Sequence, residues 1–536
     1  MAILARPALA GALAAVILGA AACSDGASST GSGARTGDAT AAVAAAAGTT
    51  VEWPVTRCGT YSGEGCAPTD DRVDVERPTF SDPTKITNPL FPISALDSVV
   101  LLGEVDGLPF RAETTLIPGR HTVTVDGKAI EVVVSQYTAY LDGRIEEIAI
   151  DRYAQADDGS VWYLGEDVFD YRECAVAITE GAWLAGRDGP PAMIMPGDPQ
   201  VGDVFRAENV TGVVFEEIVV KAIDQTVDGP KGPVSGAVVM EELHLDGSVS
   251  DKVFAPGYGE FDTSSDGEVE ALALAYPTDA IDEALPAELR LLSTSAWGIL
   301  ENARLEDWDA ANPTLIRMQT IWADLQGRQY PSRVVETMDR ALDALSDAVA
   351  DEDIAAASQA AVDVAQPALD LELLYLGDVE AGRFHLHTQQ LRVHAAGNDL
   401  AGVTGEVAVL EWIRDRLAGD MDETRLAELD IALLGVRGAS DAASADAAAD
   451  QRRPSGGPAP RRVRAGFHPS LARGLTRPPP GTSLHRPSRA WMLLAGTAVT
   501  CASNVLAGLV AASRRIRPPP TDEPMDELLL HASGRK

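Results

Sequence analysis

His121-Thr122-Val123-Thr124-Val125-Asp126-Gly127-Lys128-Ala129-Ile130-Glu131-Val132-Val133-Val134 consists of two β-branched runs joined by an Asp-Gly pair. Asp and Gly both tolerate the positive φ that a two-residue hairpin turn demands, so the stretch predicts two antiparallel strands. The pattern repeats outward. Val99-Val100-Leu101-Leu102 precedes it and Ile145 to Tyr153 follows it; Asp158-Gly159 then separates Tyr153 from Val161-Trp162-Tyr163-Leu164. Val213 to Ile223, Ala237 to Leu245 and Val249 to Ala255 continue the series. Short hairpins with no long helix between them predict an antiparallel β-meander over residues 85–275, either a curved sheet or a half-barrel. Trp162 and Leu164 alternate with Tyr163, which predicts one set facing the core and the other facing out.

After Pro277 the period lengthens. Val334, Val335, Met338, Ala341, Leu342, Leu345, Ala348 and Val349 recur at helical spacing, as do Leu400, Val403, Val407, Leu410, Ile413 and Leu417. Further helices are predicted over Pro286 to Leu305, Leu315 to Leu325, Ile354 to Tyr375 (kinked near Pro367), Val379 to Ala396 and Thr424 to Leu434. Residues 278–436 therefore read as an antiparallel helical bundle, with Trp297, Trp308, Trp322 and Trp412 in its core or at its seam with the sheet. The fold class is α+β and multidomain.

The whole chain has 536 residues, with 43 Lys+Arg against 80 Asp+Glu and a net charge of −37. Such a surface repels phosphate backbones, so no nucleic-acid partner is expected. Residues 437–536 depart from this balance: between Gln451 and Arg517 Arg recurs while Lys, Asp and Glu vanish. They read as an Arg/Pro-rich disordered tail, preferably foreign out-of-frame sequence, with a membrane span over 491–512 as the competing reading.

The N-terminus carries an export address. Arg6 and the apolar run Ala8 to Leu18 make residues 1–22 a signal peptide. Ala20-Ala21-Ala22-Cys23 resembles the bacterial lipobox, with Ala20 where Leu is usual. The resemblance implies lipidation of Cys23 and attachment to the outer face of the cell membrane; an ordinary secretory signal is the plainer alternative. Residues 23–50, rich in Ser, Gly, Ala and Thr, form a flexible tether. Within the irregular segment 51–84, Cys58 and Cys66 suit a disulfide in an oxidising compartment, and half a zinc site is the alternative.

Several separated motifs resemble a family of uncharacterised bacterial exported proteins. They are Asn88-Pro89-Leu90-Phe91-Pro92, Tyr153-Ala154-Gln155, Asp158 to Glu166, Glu180 to Gly186, Met195 to Pro199, Val201 to Arg206 and Ala255-Pro256-Gly257-Tyr258-Gly259. The resemblance implies location and fold better than activity. More loosely, the meander is similar to envelope half-barrels that cradle acyl chains, which makes an apolar ligand or an envelope protein the expected partner.

Three sets of residues invite a site. Trp162 and the loop residues Met193 and Met195 could border an apolar cavity, although loop packing over the sheet is preferred. Glu146, Glu147, Asp151, Glu166 and Asp167 crowd neighbouring strands; polymer hydrolysis by paired carboxylates is weighed against solvated faces, and the latter preferred. His387 and His394 share a helix face but are too far apart for one ion without carboxylates from another helix. Hydrogen-bonding or surface histidines are therefore preferred to a metal site there. No nucleophile elbow, Walker loop, dinucleotide fingerprint or His-Glu-x-x-His motif occurs, so no catalytic residue and no cofactor is implied. The expectation is a non-enzymatic envelope binding or scaffold protein; metal handling and polymer hydrolysis are the alternatives.

Overall fold

A computed structural model describes residues 66–265, 268–419 and 421–451. The expected signal peptide, Cys23, the tether, Cys58 and the 491–512 segment lie outside the described residues. The strands are β1 (Ser98–Val105), β2 (Leu108–Leu116), β3 (His121–Val125), β4 (Lys128–Leu141), β5 (Arg144–Gln155), β6 (Val161–Arg172), β7 (Ala175–Ile178) and β8 (Trp183–Leu184). They continue as β9 (Ala192–Met195), β10 (Val204–Val210), β11 (Val214–Gly229), β12 (Gly232–His244), β13 (Val249–Ala255), β14 (Gly259–Ser265) and β15 (Glu268–Tyr276).

All belong to one antiparallel sheet, in the order β10-β11-β12-β13-β14-β15-β1-β2-β4-β5-β6-β7, with β3 paired to β4 and both β8 and β9 paired to β6. β3 and β4 are joined where the sequence predicts, with Asp126 at φ 50° and Gly127 at φ 75°. Twist accumulated over so many strands curls the sheet. Its two ends share one core: Tyr153, Trp162 and Tyr163 pack in the same cluster as Phe205, Val214, Ile218 and Met240.

The helices are α1 (Ala287–Arg304), α2 (Trp308–Leu325), α3 (Ser332–Ala350), α4 (Ile354–Leu376), α5 (Glu380–Ala396), α6 (Leu400–Leu417) and α7 (Glu423–Gln451). Pro367 lies inside α4, which runs unbroken from Ile354 to Leu376. α7 runs past residue 436 to Gln451, so the tail begins later than its composition suggests. Val436, Ser440 and Ala443 are buried, which explains why the helix persists.

The helices do not fold apart from the sheet. Val100 of β1 and Leu274 of β15 are buried in one core with α1–α4, for instance against Leu292, Leu345 and Leu371. Tyr140, Ile148 and Tyr171 are buried in another with Phe384, Val407, Ile413 and Leu433 of α5–α7. Helix therefore covers the outer face of much of the sheet, and the switch in composition at Pro277 is a boundary along the chain rather than between cores. Trp322 is buried among helices, whereas Trp412 packs on Phe169 and donates to the Tyr171 hydroxyl at 2.9 Å.

β4 shows how strand period sorts the two faces. Tyr137 and Ala139 point into the curl, where they pack with Leu101, Phe110 and Phe261. Gln136, Thr138 and Tyr140 point at the helices, where Gln136 and Thr138 accept from Arg416 of α6 at 2.6 and 3.1 Å. Three arginines and three acids close this seam. Arg111 pairs with Asp370 and Glu113, Arg383 with Glu380 and Glu113, and Arg416 with Glu113 and Glu380.

The expected alternation at Trp162, Tyr163 and Leu164 does not hold, since all three are buried in one core. Chain from before and after the strand, including Ile86, Leu90, Trp183 and Ile194, contributes to that core and covers the face that simple alternation would leave wet. Met193 and Met195 lie not in a loop but on β9, where they pair with β6.

Candidate functional site

Segments far apart in sequence meet at one end of the curl. The Asn88 side-chain amide donates to the carbonyls of Gly159 at 3.1 Å and Pro196 at 2.9 Å. Gln155 Oε1 accepts from the backbone of Thr87 and Asn88. The backbone N–H of Gly257 donates to Pro89 O at 2.8 Å. These contacts pin the 86–92 segment across the ends of β5, β6 and β13, because a chain without strand partners of its own must satisfy its backbone elsewhere.

The pinned segment forms one wall of a cleft. Phe91, Pro92, Ile93, Leu96, Val99, Leu101, Tyr137, Tyr153 and Tyr258 provide its apolar and aromatic surface, and Thr114, Ser135, Asp151 and Glu260 its polar groups. Its volume is ≈ 70 Å³, room for several water molecules or a small group. Phe91 meets Tyr153 edge-on at 5.0 Å, and Tyr153 stacks on Tyr163 at 5.0 Å. Rings locked in this way present rigid faces.

Asp151 is the buried acid of the cleft. Tyr163 Oη donates to its Oδ1 at 2.7 Å and Ser135 Oγ to its Oδ2 at 3.4 Å. Burial pushes its pKa up to about 6, against the pull of the Tyr163 hydrogen bond and of nearby Arg152. Among the described residues, the Tyr137 hydroxyl has no hydrogen-bond partner. Burial, and then the negative fields of Glu270, Glu147, Glu260 and Asp151, hold it protonated far above the ordinary phenol range. Among the described residues, no cationic side chain lines the cleft. The arrangement can accept a hydrogen bond or a positive charge at Asp151 and donate one from Tyr137, between aromatic faces.

The preference for solvated carboxylates is overturned for Glu147, Asp151 and Glu166, which are buried inside the curl. Strand period places them on one face, but only the curl reveals that this face is interior. Glu166 and Glu208 lie together there. Burial, and then each other's charge at Glu166 and that of Glu216 at Glu208, raise both well above the carboxylate range, so protons remain among them. Glu146 is half-buried, and Asp167 pairs with Arg152.

The remaining expected residues are placed as follows. Trp162, Met193 and Met195 are packed in the core shared by the two sheet ends and do not line the cleft. His387 and His394 both face Glu406 of α6: His387 Nδ1 is 2.9 Å from Oε2, and His394 Nε2 is 3.9 Å from Oε1. His387 also stacks on Tyr140, and His394 Nδ1 meets Asp399 at 2.9 Å. Among the described residues, the three potential ligands that converge are others: Glu216, Glu242 and His244. Cys66 is disulfide-bonded and Cys174 is a buried free thiol. Among the described residues no helix is long and apolar enough to cross a membrane.

Sequence reasoning missed Tyr137, Tyr258 and Glu260 as neighbours of Asp151. Phe91, Tyr153 and Tyr258 all fall within the quoted motifs, the one signal that could have grouped them. Comparison with known proteins gives no matching family model, no matching curated protein and no matching solved structure.

Proposed function

We propose that this chain is an exported, lipid-tethered binding protein of the cell envelope, without catalytic activity of its own. Its β-cleft takes a small ligand that has an apolar body and a hydrogen-bond donor or positive charge. The observation that carries the reading is Asp151, a buried acid with aromatic rings around it and, among the described residues, no cationic side chain in its cleft. A cation or donor at that carboxylate would offset the cost of its burial, and the rings would supply apolar and cation–π contact. The helices hold the sheet from outside. The small cleft favours a compact form of the apolar partner expected from the sequence.

Calorimetric titration of the full chain with a small alkylammonium ion and with its neutral isosteric alkane tests the ligand. Binding of the cation alone, lost in Asp151→Asn and weakened in Tyr137→Phe, supports it; equal failure of both compounds sinks it. Partitioning into detergent, expected to be lost in Cys23→Ser, tests the tether separately.

A second reading rests on Glu260 lining the same cleft as Asp151. Two carboxyls of different environment can divide acid and base roles in glycoside hydrolysis. Release of soluble fragments from envelope polysaccharide, abolished by both Asp151→Asn and Glu260→Gln, would favour hydrolysis over passive binding.

A further inference from the structure

The interior of the curl carries a second constellation that the cleft does not use. Glu216 of β11 and His244 of β12 are register partners, and Glu242 lies two residues before His244 on the same face of β12. All three are buried, at 1%, 0% and 8% exposure for Glu216, Glu242 and His244. Each offers a ligand atom within 4.8 Å of the other two. We propose that Glu216, Glu242 and His244 form a site for one divalent transition-metal ion of the zinc type.

Three observations favour a metal over a merely closed polar cluster. First, among the described residues Glu216 Oε2 and Glu242 Oε1 receive no hydrogen bond, and neither does Oε2 of Glu208, the β10 register partner of Glu216. Buried carboxylate oxygens left bare are costly, and a cation is the natural occupant. Second, His244 Nδ1 is 3.5 Å from Glu216 Oε1. That is close to the edge, about 3.4 Å, of a tetrahedron with ligands about 2.1 Å from zinc. Third, the other ring nitrogen, Nε2, lies 3.0 Å from Ser250 Oγ. A second partner of this kind fixes the ring of a ligating imidazole. One imidazole with two carboxylates suits zinc, cobalt or nickel rather than calcium or magnesium, which prefer all-oxygen shells.

The competing occupant is Lys252. Its Nζ sits 2.7 Å from Glu242 Oε2. One ammonium does not by itself balance both Glu216 and Glu242. Burial and the charge of Glu216 raise the pKa of Glu242. Burial also acts upward on Glu216, but the neighbouring His244 and Lys252 hold it low. The site is enclosed, and the metal is best supplied while the chain folds.

The test uses the full chain, refolded with chelator and then with one equivalent of Zn²⁺ or Co²⁺. The expected results are one tightly held ion per chain, a higher unfolding temperature and, with Co²⁺, the visible absorption of a low-symmetry site. Glu216→Gln and His244→Gln are each expected to weaken uptake at least a hundredfold. Ser250→Ala, which leaves all three ligands in place, should weaken it about tenfold and stands in if either ligand variant does not fold. The proposal is overturned if the wild-type chain takes up no stoichiometric ion. It is equally overturned if uptake survives in Glu216→Gln and His244→Gln, or is lost instead in His387→Ala or His394→Ala.

Discussion

Arg416 and Glu113 are 303 positions apart in the chain and meet at 3.2 Å, each about 1% exposed, where α6 lies on the outer face of β2. Glu113 also faces Arg111 at 2.8 Å and Arg383 at 3.5 Å. One carboxylate thus serves three guanidinium groups at the sheet–helix seam.

Removing that charge should cost far more than the pairwise contacts suggest, because it strands buried arginines. Glu113→Gln is expected to destabilise the chain by about 3–5 kcal/mol, read from urea unfolding midpoints. Burial alone would raise the Glu113 pKa, but Arg383, Arg111 and Arg416 hold it well below the carboxylate range. A depressed folded pKa gives stability that is present above the unfolded value of about 4.3 and lost as pH falls below it. The wild-type chain should therefore weaken on acidification more steeply than the Gln variant.

Asp151 runs the other way. Its folded pKa of about 6 lies above the ordinary 3.8. A raised folded pKa contributes stability that is complete below the unfolded value and disappears as pH rises through about 6. Asp151→Asn should therefore unfold at higher urea than wild type at pH 7.5, by up to about 3 kcal/mol. The advantage should be gone at pH 3.5. An equal gain at both pH values would show that packing, not charge, is responsible.

Gly405 of α6 has no room for a side chain. A Cβ there would lie 2.8 Å from Cys174 Cβ and 3.2 Å from Ile145 Cγ2. Cys174 sits with Glu173 in a two-residue turn between β6 and β7, at φ 62° and 51°. Gly405→Ala should cost about 1–3 kcal/mol by overpacking. Adding Cys174→Gly removes the clashing atom and suits the turn, so the double variant should regain most of the loss. Additive losses in thermal unfolding would rule out the contact as the cause.

At the β3–β4 turn the cost is conformational alone. Gly127 has φ 75°, and a Cβ added to it would meet nothing within 4 Å. Gly127→Ala should lose about 1–2 kcal/mol, measurable by calorimetry, with no loss of packing.

The Asp126-Gly127 hairpin was legible because turn chemistry is local. Asp106-Gly107 and Asp142-Gly143 adopt the same paired positive φ and carried the same signal unused. Asp353 and Asp399 cap α4 and α6 by accepting from the N–H groups of Ala355 and Gly402, and this local signal too went unused. What surrounds a face was not legible. Period two puts Glu147, Asp151 and Glu166 on one side of their strands but cannot say that the sheet curls over that side. Likewise, Glu242-Leu243-His244 shows two ligand types on one strand face, while Glu216 joins them only through the β11–β12 register. Glu406 became the partner of His387 and His394 through α5–α6 packing, which no spacing within α5 encodes.

The order of the elements along the chain has a consequence for biogenesis. Val100, Ile148 and Leu274 are buried in cores that include helices following Tyr276. During synthesis from the N-terminus, the strands emerge before the helices that complete these cores. A message cut short after Tyr276 would yield a sticky half-product rather than a smaller working protein, so the ribosome must finish α7 before the strands can be safely left unattended.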